Sequence, residues 1–478
     1  MTKHTVDIAI IGAGSAGMSA YYEASKYSDS IALIEGGEYG TTCARVGCMP
    51  SKLLIAPALA RHAAQKYNAF GLVGDIPKVD GRAVMQRVRN ERDRFVGSVK
   101  KTVKNFDKAL HLQATATFEN DHILALSNGE KLQADRIIIA TGSHPNIAPP
   151  LKDAGKHLIT SDDVFYWEDL PQSIAVVGAG VVGLELAQAL HRLGVNVHLF
   201  GRDNQAGIVT DPEIRTQALD IFTQELQFFP DSHVVRTEEK DDKAVLYYTI
   251  DDKEHHVECD YVLATTGRTP NIDTLSLHNT GLELDDKGMP IYDPMSGQCG
   301  DSHIFIAGDV NGDIPLLHEA SDEGRIAGKN AGTYPQVLKQ ARRTPLTIIF
   351  PDPQMAIAGQ SYQELCDMQT DFSIGSCDFE HQGRARVMMD NVGLLHIYGD
   401  NRTGRILGAE MIGHHHEHLA HLISWCITMH ITVHQALLMP FYHPTIEEGM
   451  RTALRDLLKN MNMSATPPEK CMDCGVGS

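Results

Sequence analysis

The sequence predicts an α/β fold in which two doubly wound, parallel-sheet domains precede an α+β domain. An apolar strand, a glycine turn and a helix start follow one another in VDIAIIGAGSAGMSA, and the same unit recurs in SIAVVGAGVVGLELAQAL. Each unit continues into a second buried strand, as a parallel βαβ arrangement requires. From about residue 345 the chain reads TPLTIIFPDPQMAIAG and then VGLLHIYGDNRTGRILGAEMIG before a long helical stretch, which predicts the α+β domain.

The composition indicates a globular protein of a reducing compartment. Its 478 residues are 42% hydrophobic and carry a net charge of −19, which disfavours nucleic acid and anionic membrane surfaces as partners. The nine cysteines are mostly scattered, the first residues lead directly into a strand, and no apolar run is long enough to cross a bilayer. We therefore expect a cytoplasmic protein.

The first glycine turn is predicted to bind the pyrophosphate of a dinucleotide. Gly12 allows the tight turn, Gly14 lets the backbone approach a pyrophosphate, and Gly17 lets the helix pack against the strand. Glu35 ends the next strand, where a carboxylate can accept hydrogen bonds from a ribose hydroxyl. Strand, turn, helix and acid together favour a nucleotide site over a tight turn without a ligand.

The second glycine turn, formed by Gly178, Gly180 and Gly183, predicts another dinucleotide site. The strand after it ends in Gly201 and Arg202 instead of an acid. A carboxylate at this point would repel a 2′-phosphate, whereas glycine leaves room and arginine supplies charge. We therefore expect NADPH to be favoured over NADH. The alternative is that Arg202 is an ordinary surface residue.

Two further features suggest cofactor and redox chemistry. Asp309 follows the strand of HIFIAGDVNG, where a carboxylate suits the polyol or ribose hydroxyls of a cofactor. Cys43 and Cys48 lie close together in GTTCARVGCMPSK, and in a reducing compartment such a pair is redox-active or metal-binding more often than a structural disulfide. Simple burial of both thiols is a third interpretation. The metal interpretation is disfavoured because no second CxxC or histidine pair lies nearby in the sequence.

Several motifs then follow one another in a specific order. They are CARVGCMPSK, ATGSHPN, SDDVFYWEDLPQSIAVVG, ATTGRTPN, IFIAGDVNG and FYHPTIEEG. In this order they resemble the motifs of the pyridine nucleotide–disulfide oxidoreductases, and the resemblance extends over essentially residues 5 to 460. Within that family the chain is most similar to the dihydrolipoamide dehydrogenases. An ordered set of this kind is far more specific than any one of its members.

The resemblance implies a domain organisation and a set of cofactors. An FAD-binding domain is expected over 1–155 and 275–340, an NAD(P)-binding domain over 156–274, a dimerisation domain over 341–465, and a flexible tail over 466–478. These two nucleotide-binding domains are expected to be Rossmann-like. The resemblance further implies FAD and NAD(P) as cofactors, a homodimer, a role in cell redox homeostasis and no resident metal.

Catalytic roles also come from the resemblance. In the family the first cysteine, here Cys43, exchanges with substrate sulfur, and the second, here Cys48, lies against the flavin and passes electrons to it. One sulfur must be accessible for exchange while the other faces a redox ring, which agrees with this division. Lys52 and Glu185 correspond to the ion pair that the family places beside the flavin.

The motif FYHPTIEEG supplies the expected acid–base group. His443 and Glu448 correspond to the family's His–Glu dyad, in which the carboxylate orients the imidazole and raises its basicity. Histidine titrates in the range needed to take a proton from a dithiol and to return it. In the family this histidine reaches the cysteines of the other subunit, so the active form is expected to be a homodimer.

Cofactor contacts are expected at the glycine turns and at the strand ends. The expected cofactor-binding residues are Gly12, Gly14, Gly17, Glu35, Lys52, Ala116, Gly142, Gly178, Gly180, Gly183, Arg202, Gly267 and Asp309.

The chain departs from its relatives at positions that bear on the substrate. Arg45 stands where the family usually has asparagine, and it either lowers the pKa of the thiols or points to solvent. Glutathione reductases carry substrate-binding arginines where this chain reads SAYYEASK, which disfavours glutathione and favours a lipoamide-like disulfide. Mercuric reductases usually have tyrosine in place of His443, which disfavours reduction of a metal ion.

The resemblance and these residues predict an enzyme that moves electrons between a lipoamide-like dithiol or disulfide and NAD(P). A 2-oxoacid dehydrogenase complex is an expected partner. The acid that NAD-dependent lipoamide enzymes carry after the second unit is missing here. One alternative is therefore an NADPH-dependent reductase of another small disulfide or of a metal ion. An alternative from another class is a subunit that serves mainly by docking in a multienzyme complex.

Two other segments carry candidate ligands. Cys471 and Cys474 in the tail either relay electrons or metal, as an extra thiol pair does in some relatives, or are free thiols. The segment GHHHEHLAH is either a metal-binding cluster or a helix start with adventitious affinity for metal, and the second interpretation is favoured. Its histidines are His414, His415, His416, His418 and His421.

Overall fold

The computed structural model describes residues 3–461. The tail with Cys471 and Cys474 therefore lies outside the described residues. The first part of the chain forms β1 (Lys3–Ile11), α1 (Ser15–Ala24), β2 (Ile31–Glu35), α2 (Thr42–Arg45), α3 (Cys48–Ala63), α4 (Gly81–Lys104), β3 (Ala109–Gln113), β4 (Ala116–Phe118), β5 (Ile123–Leu126), β6 (Lys131–Ile139), β7 (Ser143–Pro145), β8 (Leu158–Thr160) and α5 (Ser161–Val164).

The middle of the chain forms β9 (Ser173–Val177), α6 (Val181–Arg192), β10 (Asn196–Phe200), α7 (Pro212–Glu225), β11 (Gln227–Phe229), β12 (His233–Lys240), β13 (Lys243–Ile250), β14 (Lys253–Cys259), β15 (Tyr261–Ala264), β16 (Arg268–Pro270), β17 (Ile304–Ile306) and α8 (Leu317–Thr333). Short 3-10 helices lie at Ala64–Lys66, Pro149–His157, Leu277–Thr280 and Asp309–Asn311.

The last part forms β18 (Leu346–Ile349), β19 (Gln354–Gly359), α9 (Tyr362–Asp367), β20 (Phe372–Asp378), α10 (Gly383–Met388), β21 (Gly393–Asp400), β22 (Ile406–Gly413), α11 (His416–Thr428), α12 (Val433–Leu437) and α13 (Glu448–Asn460). No helix among residues 3–461 has the length and the apolar character that a membrane span needs.

The first sheet is parallel at its centre, in the order β3-β2-β1-β6-β17, and β4 and β5 extend it as an antiparallel meander on β6. Its central strands are nearly continuous apolar runs, as expected when helices cover both faces. Helices α1 and α8 pack closely on one face. A Cβ at Gly324 would lie 2.2 Å from the Ala16 carbonyl oxygen, and one at Gly328 would lie 2.3 Å from that of Ala20, so glycine is required at both positions.

The second sheet is also parallel, in the order β11-β10-β9-β15-β8, and a three-stranded antiparallel sheet of β12, β13 and β14 accompanies it. The two parallel sheets are connected by the ribbon of β7 and β16, in which Ser143 pairs with Pro270 and Pro145 with Arg268. The similar segments ATGSHPN and ATTGRTPN therefore lie side by side. The predicted fold class, with two Rossmann-like units, is confirmed.

The last part of the chain is an antiparallel sheet, β18-β19-β22-β21-β20, covered by helices. Helix α13 lies directly on β20, because a Cβ at Gly375 would be 2.2 Å from the Ala453 carbonyl oxygen. Leu454 and Leu457 of this helix are fully buried. This arrangement agrees with the predicted α+β domain. The domain limits given above stay a prediction.

Candidate active site

The first glycine turn joins β1 to α1 in a geometry that needs glycine at two positions. Gly12 has φ +109°, and a Cβ there would lie 2.2 Å from the Ala140 carbonyl oxygen. A Cβ at Gly17 would lie 1.9 Å from the Gly12 carbonyl oxygen. Nothing lies within 4 Å of the Cβ position of Gly14, so a ligand can approach this part of the backbone. The amino end of α1 faces that space, which suits a pyrophosphate.

Glu35 ends β2 and accepts hydrogen bonds from the backbone N–H groups of Ala13, at 2.9 Å, and Gly37, at 2.8 Å. It lines a cavity of about 430 Å³ together with Gly14, Ala116 and Gly142 and other residues. A second cavity, of about 310 Å³, also borders Gly14 and Gly142. The two cavities therefore form one extended cleft, which fits an extended dinucleotide such as FAD.

Both cysteines border the second cavity. Cys43 lies in the single turn of α2, and Cys48 is the first residue of the 16-residue helix α3. Cys43 is half-buried, whereas Cys48 is exposed. In this chain without a flavin, the exposure is the reverse of the expected one, in which Cys43 is accessible and Cys48 is covered. A flavin bound in the cleft would cover Cys48.

The two thiols are hydrogen-bonded to each other and differ in acidity. The hydrogen bond from Cys43 lowers the pKa of Cys48 to about 7, and the charge of Lys52 also lowers it. The pKa of Cys43 is raised, first by the hydrogen bond to Cys48 and then by burial. A thiol at a helix amino end and beside a lysine has the surroundings of a reactive cysteine. The arrangement therefore holds a thiolate at Cys48 near neutral pH.

Lys52 and Glu185 form an ion pair at the same cavity. The Lys52 ammonium lies 2.9 Å from each carboxylate oxygen of Glu185, whose side chain is 4% exposed. Glu185 also accepts a hydrogen bond from the Phe350 backbone N–H at 2.9 Å, and the ammonium lies 4.5 Å from the centre of the Phe350 ring. The pair joins α3 to α6 across 133 positions of sequence.

We expect Lys52→Met to raise the pKa of Cys48 and to destabilise the fold. It removes a charge that favours the thiolate and leaves a buried carboxylate without its cation. Breaking a fully buried pair costs about 3–5 kcal/mol, and the partial exposure of Lys52 places the expected loss nearer the lower figure. Thiol alkylation rates against pH and chemical denaturation would measure both effects. Lys52→Arg keeps the charge and should preserve the low pKa of Cys48. An unchanged pKa of Cys48 in Lys52→Met would show that the charge of Lys52 does not lower it.

His443 and Glu448 form a hydrogen-bonded pair at the start of α13. The Nδ1 atom of His443 lies 3.0 and 3.2 Å from the two carboxylate oxygens of Glu448. Glu448 is buried and also accepts hydrogen bonds from Arg451, at 2.9 Å, and the Thr445 backbone N–H, at 3.2 Å. The carboxylate is thus fixed, whereas the His443 side chain is 66% exposed. His443 is not among the residues that line the cavity of the cysteines in its own chain.

The second glycine turn joins β9 to α6 as the first joins β1 to α1. A Cβ at Gly183 would lie 1.8 Å from the Gly178 carbonyl oxygen, while the Cβ position of Gly180 is open. After β10, a Cβ at Gly201 would lie 3.1 to 3.2 Å from Phe228, Ala179 and Pro230. A larger side chain at position 201 would therefore require its neighbours to shift.

Arg202 and Gly267 lie at the surface around this second turn. The Arg202 side chain is 76% exposed, and its nearest charged partner is the equally exposed Asp203 at 3.4 Å. Gly267 accepts a hydrogen bond from the Asn146 backbone N–H at the ribbon that connects the two parallel sheets. The guanidinium is thus free to approach a ligand.

Arg268 and Arg45 both make contacts at the cleft that were not predicted from the sequence. Arg268 lies in the motif ATTGRTPN, and the sequence pattern did not indicate a role for it. It donates to the hydroxyl and the carbonyl of Ser143, at 2.8 and 2.7 Å, and Ser143 in turn donates to Asp309 at 3.0 Å. Arg45 donates to the Glu38 carbonyl at 3.1 Å and lines the first cavity, and it is not among the main causes of the pKa shift of either thiol.

The fold and this site define a class of protein. Two dinucleotide units, an extended cleft and a hydrogen-bonded cysteine pair beside a buried ion pair are the parts of a flavin- and pyridine-nucleotide-dependent disulfide oxidoreductase.

Comparison with known proteins agrees with this class. Residues 6–324 match the pyridine nucleotide-disulphide oxidoreductase model, and residues 345–454 match the dimerisation domain of the same proteins. The chain belongs to the pyridine nucleotide-disulphide oxidoreductase family. It is an FAD-dependent disulfide oxidoreductase that resembles dihydrolipoyl dehydrogenase, and the family uses a pyridine nucleotide.

Individual relatives show the extent of the similarity. The chain is 29% identical over 468 residues to a dihydrolipoyl dehydrogenase of Haloferax volcanii, covering 95% of this chain and 96% of the relative. It is 30% identical over 434 residues to one of Bacillus subtilis, covering 86% and 89%. The HOCl-induced flavoprotein disulfide reductase RclA of Escherichia coli has the same fold, with a TM-score of 0.78 and 21% identity over 95% of this chain and 99% of RclA.

Proposed function

We propose that the protein transfers electrons between a lipoamide-like dithiol or disulfide and NAD(P), through FAD. The observation that carries this proposal is the hydrogen-bonded pair of Cys43 and Cys48, whose shared proton leaves Cys48 acidic, at the cleft that fits FAD. Cys43 is proposed to exchange with substrate sulfur, and Cys48 to lie against the flavin. Bound FAD would supply the two-electron chemistry that links thiols to a nicotinamide.

The residues of the cleft are proposed to hold the two cofactors. Those proposed to contact FAD or NAD(P) are Gly12, Gly14, Gly17, Glu35, Lys52, Ala116, Gly142, Gly178, Gly180, Gly183, Arg202, Gly267 and Asp309. His443 is proposed to move the proton of the substrate thiol, with Glu448 orienting its imidazole.

A lipoamide-like substrate is supported by the relatives and by helix α1. The curated relatives described above are dihydrolipoyl dehydrogenases. On α1, Tyr22 is exposed, and Glu23 is hydrogen-bonded to Lys26 at 2.6 Å, so this surface offers no arginine to the carboxylates of glutathione. Membership of a 2-oxoacid dehydrogenase complex is part of the same proposal.

The deciding experiment is a steady-state comparison of lipoamide, glutathione disulfide and mercuric ion, each with NADH and NADPH. We expect the highest kcat/KM with lipoamide. A clear preference for another disulfide or for the metal ion would support the second candidate, an NADPH-dependent reductase, which Gly201 and Arg202 favour. A Cys43→Ser protein that still fulfilled its cellular role would instead favour a docking subunit.

We expect a higher kcat/KM with NADPH than with NADH. A charged hydrogen bond from Arg202 to a 2′-phosphate is worth about 1.5–3 kcal/mol, which corresponds to roughly ten- to a hundredfold in preference. Arg202→Ala should reduce the preference. Arg94→Ala is the matched control, because the Arg94 side chain is also 76% exposed but lies on α4. A wild-type preference for NADH would refute this prediction.

A homodimer and a cytoplasmic location complete the proposal. Large apolar side chains of the dimerisation domain are exposed in the single chain, among them Trp425 at 63%, Met429 at 70% and Tyr442 at 82%. An exposed apolar surface of this kind favours an interface between subunits. The cytoplasmic location rests on the scattered cysteines and on thiol chemistry that needs a reducing compartment.

A further inference from the structure

The histidine-rich segment after β22 divides into an inward and an outward set. His414 points inward, with its Nδ1 atom 2.7 Å from the carboxylate of Asp352. His416 is fully buried, and burial lowers its pKa to about 3. His415 and His418 are both exposed. The sequence pattern alone does not separate these sets, because the segment includes both a loop and the start of α11.

The outward set brings three metal-ligand groups together. His415, Glu417 and His418 each offer one ligand atom, and these atoms lie within 4.8 Å of one another. The imidazole rings of His415 and His418 are 6.4 Å apart between centres. One carboxylate oxygen of Glu417, Oε2, is buried and has no hydrogen-bond partner among the described residues. A buried carboxylate oxygen without a donor is electrostatically unfavourable unless a cation satisfies it.

We propose that His415, Glu417 and His418 bind one divalent transition metal ion per chain. Two imidazoles and one carboxylate suit Ni²⁺, Zn²⁺ or Cu²⁺, whereas Mg²⁺ and Ca²⁺ favour oxygen ligands. Three protein ligands leave further positions to water. Glu417 supplies a negative charge that attracts the cation. The three ligands lie within four positions of the sequence, so metal binding needs no movement of distant parts of the chain.

A second group of ligand-type residues lacks this capacity. Asp121, His122 and His303 also have ligand atoms within 4.8 Å of one another. However, the His122 and His303 rings are stacked face to face, 4.0 Å apart and 3° from parallel. A metal ion lies near the plane of a coordinating imidazole, so one ion cannot satisfy two rings in this stack. The rings of His415 and His418 are 6.4 Å apart and 16° from parallel, so they are not in face-to-face contact.

Titration of the purified flavoprotein with Ni²⁺ by isothermal calorimetry tests the proposal. We expect one site per chain that is weakened in His415→Ala and in His418→Ala by at least the ~10–100-fold that loss of a metal-site partner causes. Glu417→Gln should weaken it as well. Ni²⁺ bound at thiols would be common to all of these variants, so the difference between variants reports the cluster.

His421→Ala is the matched control. His421 is exposed on the same helix, and its Nδ1 atom is occupied 2.6 Å from the Glu417 carbonyl oxygen. His381→Ala, an exposed histidine elsewhere in the domain, is a second control. Both should bind Ni²⁺ as the wild type does. An absence of wild-type binding, unchanged affinity in the three cluster variants, or an equal loss in His421→Ala would overturn the proposed ligand set. Circular dichroism of each variant would show that its fold is retained.

Discussion

Replacing His443 with alanine is expected to lower dithiol-dependent turnover by about 10²–10⁴-fold, the usual contribution of a general acid–base group. The His443 ring is held by the buried carboxylate of Glu448 and is otherwise exposed, as a group that receives a proton from an external thiol should be. Reduction of the bound flavin by the nicotinamide involves no substrate thiol and should be largely retained. Stopped-flow measurement of the two half-reactions would separate these effects.

The control is His430→Ala, an exposed histidine of the same domain outside the site, which should leave both half-reactions unchanged. An equal loss in both half-reactions of His443→Ala would remove this residue from the thiol step. An equal loss in His430→Ala would show that the effect is not specific to the site.

Mixed dimers test whether His443 acts across the subunit interface. His443 does not line the cavity of the cysteines in its own chain, so a contribution from the partner subunit is expected. A dimer of one Cys43→Ser chain and one His443→Ala chain would contain one intact site. Random mixing makes half of the dimers mixed, and each mixed dimer has one of its two sites intact. If the two sites of a dimer work independently, recovery to about a quarter of wild-type activity is expected. No recovery on mixing would place His443 and Cys43 in the same chain.

Local sequence patterns predicted the parts of the fold that local physics determines. The glycine turns at Gly12 and Gly178 were predicted because a left-handed φ and a tight helix–strand approach admit almost no other residue. The strand ends that carry Glu35 and Asp309 followed from apolar runs that stop at polar residues.

Long-range pairing was beyond these patterns. The ribbon of Ser143–Pro145 with Arg268–Pro270 joins segments far apart in sequence, and the ion pair of Lys52 with Glu185 was expected only through resemblance to a family. Periodicity carries no information about which distant side chains meet. For the same reason the contact of Arg45 with Glu38 was neither of the two alternatives expected for this residue, and the role of Arg268 at Ser143 was missed.

The histidine-rich segment shows a different limit. Five histidines within eight positions suggest a single cluster, yet His416 is buried and His414 pairs with Asp352. The direction of each ring depends on where α11 begins relative to β22, and helix limits are the least certain part of a sequence-based prediction.

Replacing Cys48 with serine is expected to abolish disulfide turnover and to remove the more acidic thiol of the pair. The pKa of Cys48 is lowered to about 7 from an ordinary value of 9.0, by the hydrogen bond from Cys43 and by the charge of Lys52. Because the pKa is lowered, the thiolate forms as pH rises through about 7. At pH 8 about nine-tenths of Cys48 would be thiolate, against roughly one-tenth of an ordinary thiol.

Alkylation by iodoacetamide, with the modified residue identified by mass spectrometry, measures this thiolate directly. In the reduced wild-type apoprotein, where no flavin covers Cys48, the rate at Cys48 should rise with an apparent pKa near 7. In Cys43→Ser the hydroxyl is a different donor from the thiol, so the rise should shift without disappearing, whereas Cys48→Ser should lose it. The reduced holoenzyme gives a second measure, because a long-wavelength thiolate-to-flavin absorbance should be lost in Cys48→Ser and should follow the same pH dependence in the wild type. If that absorbance persists in Cys48→Ser, the placement of Cys48 beside the flavin is wrong, because only a thiolate next to the flavin ring gives this band.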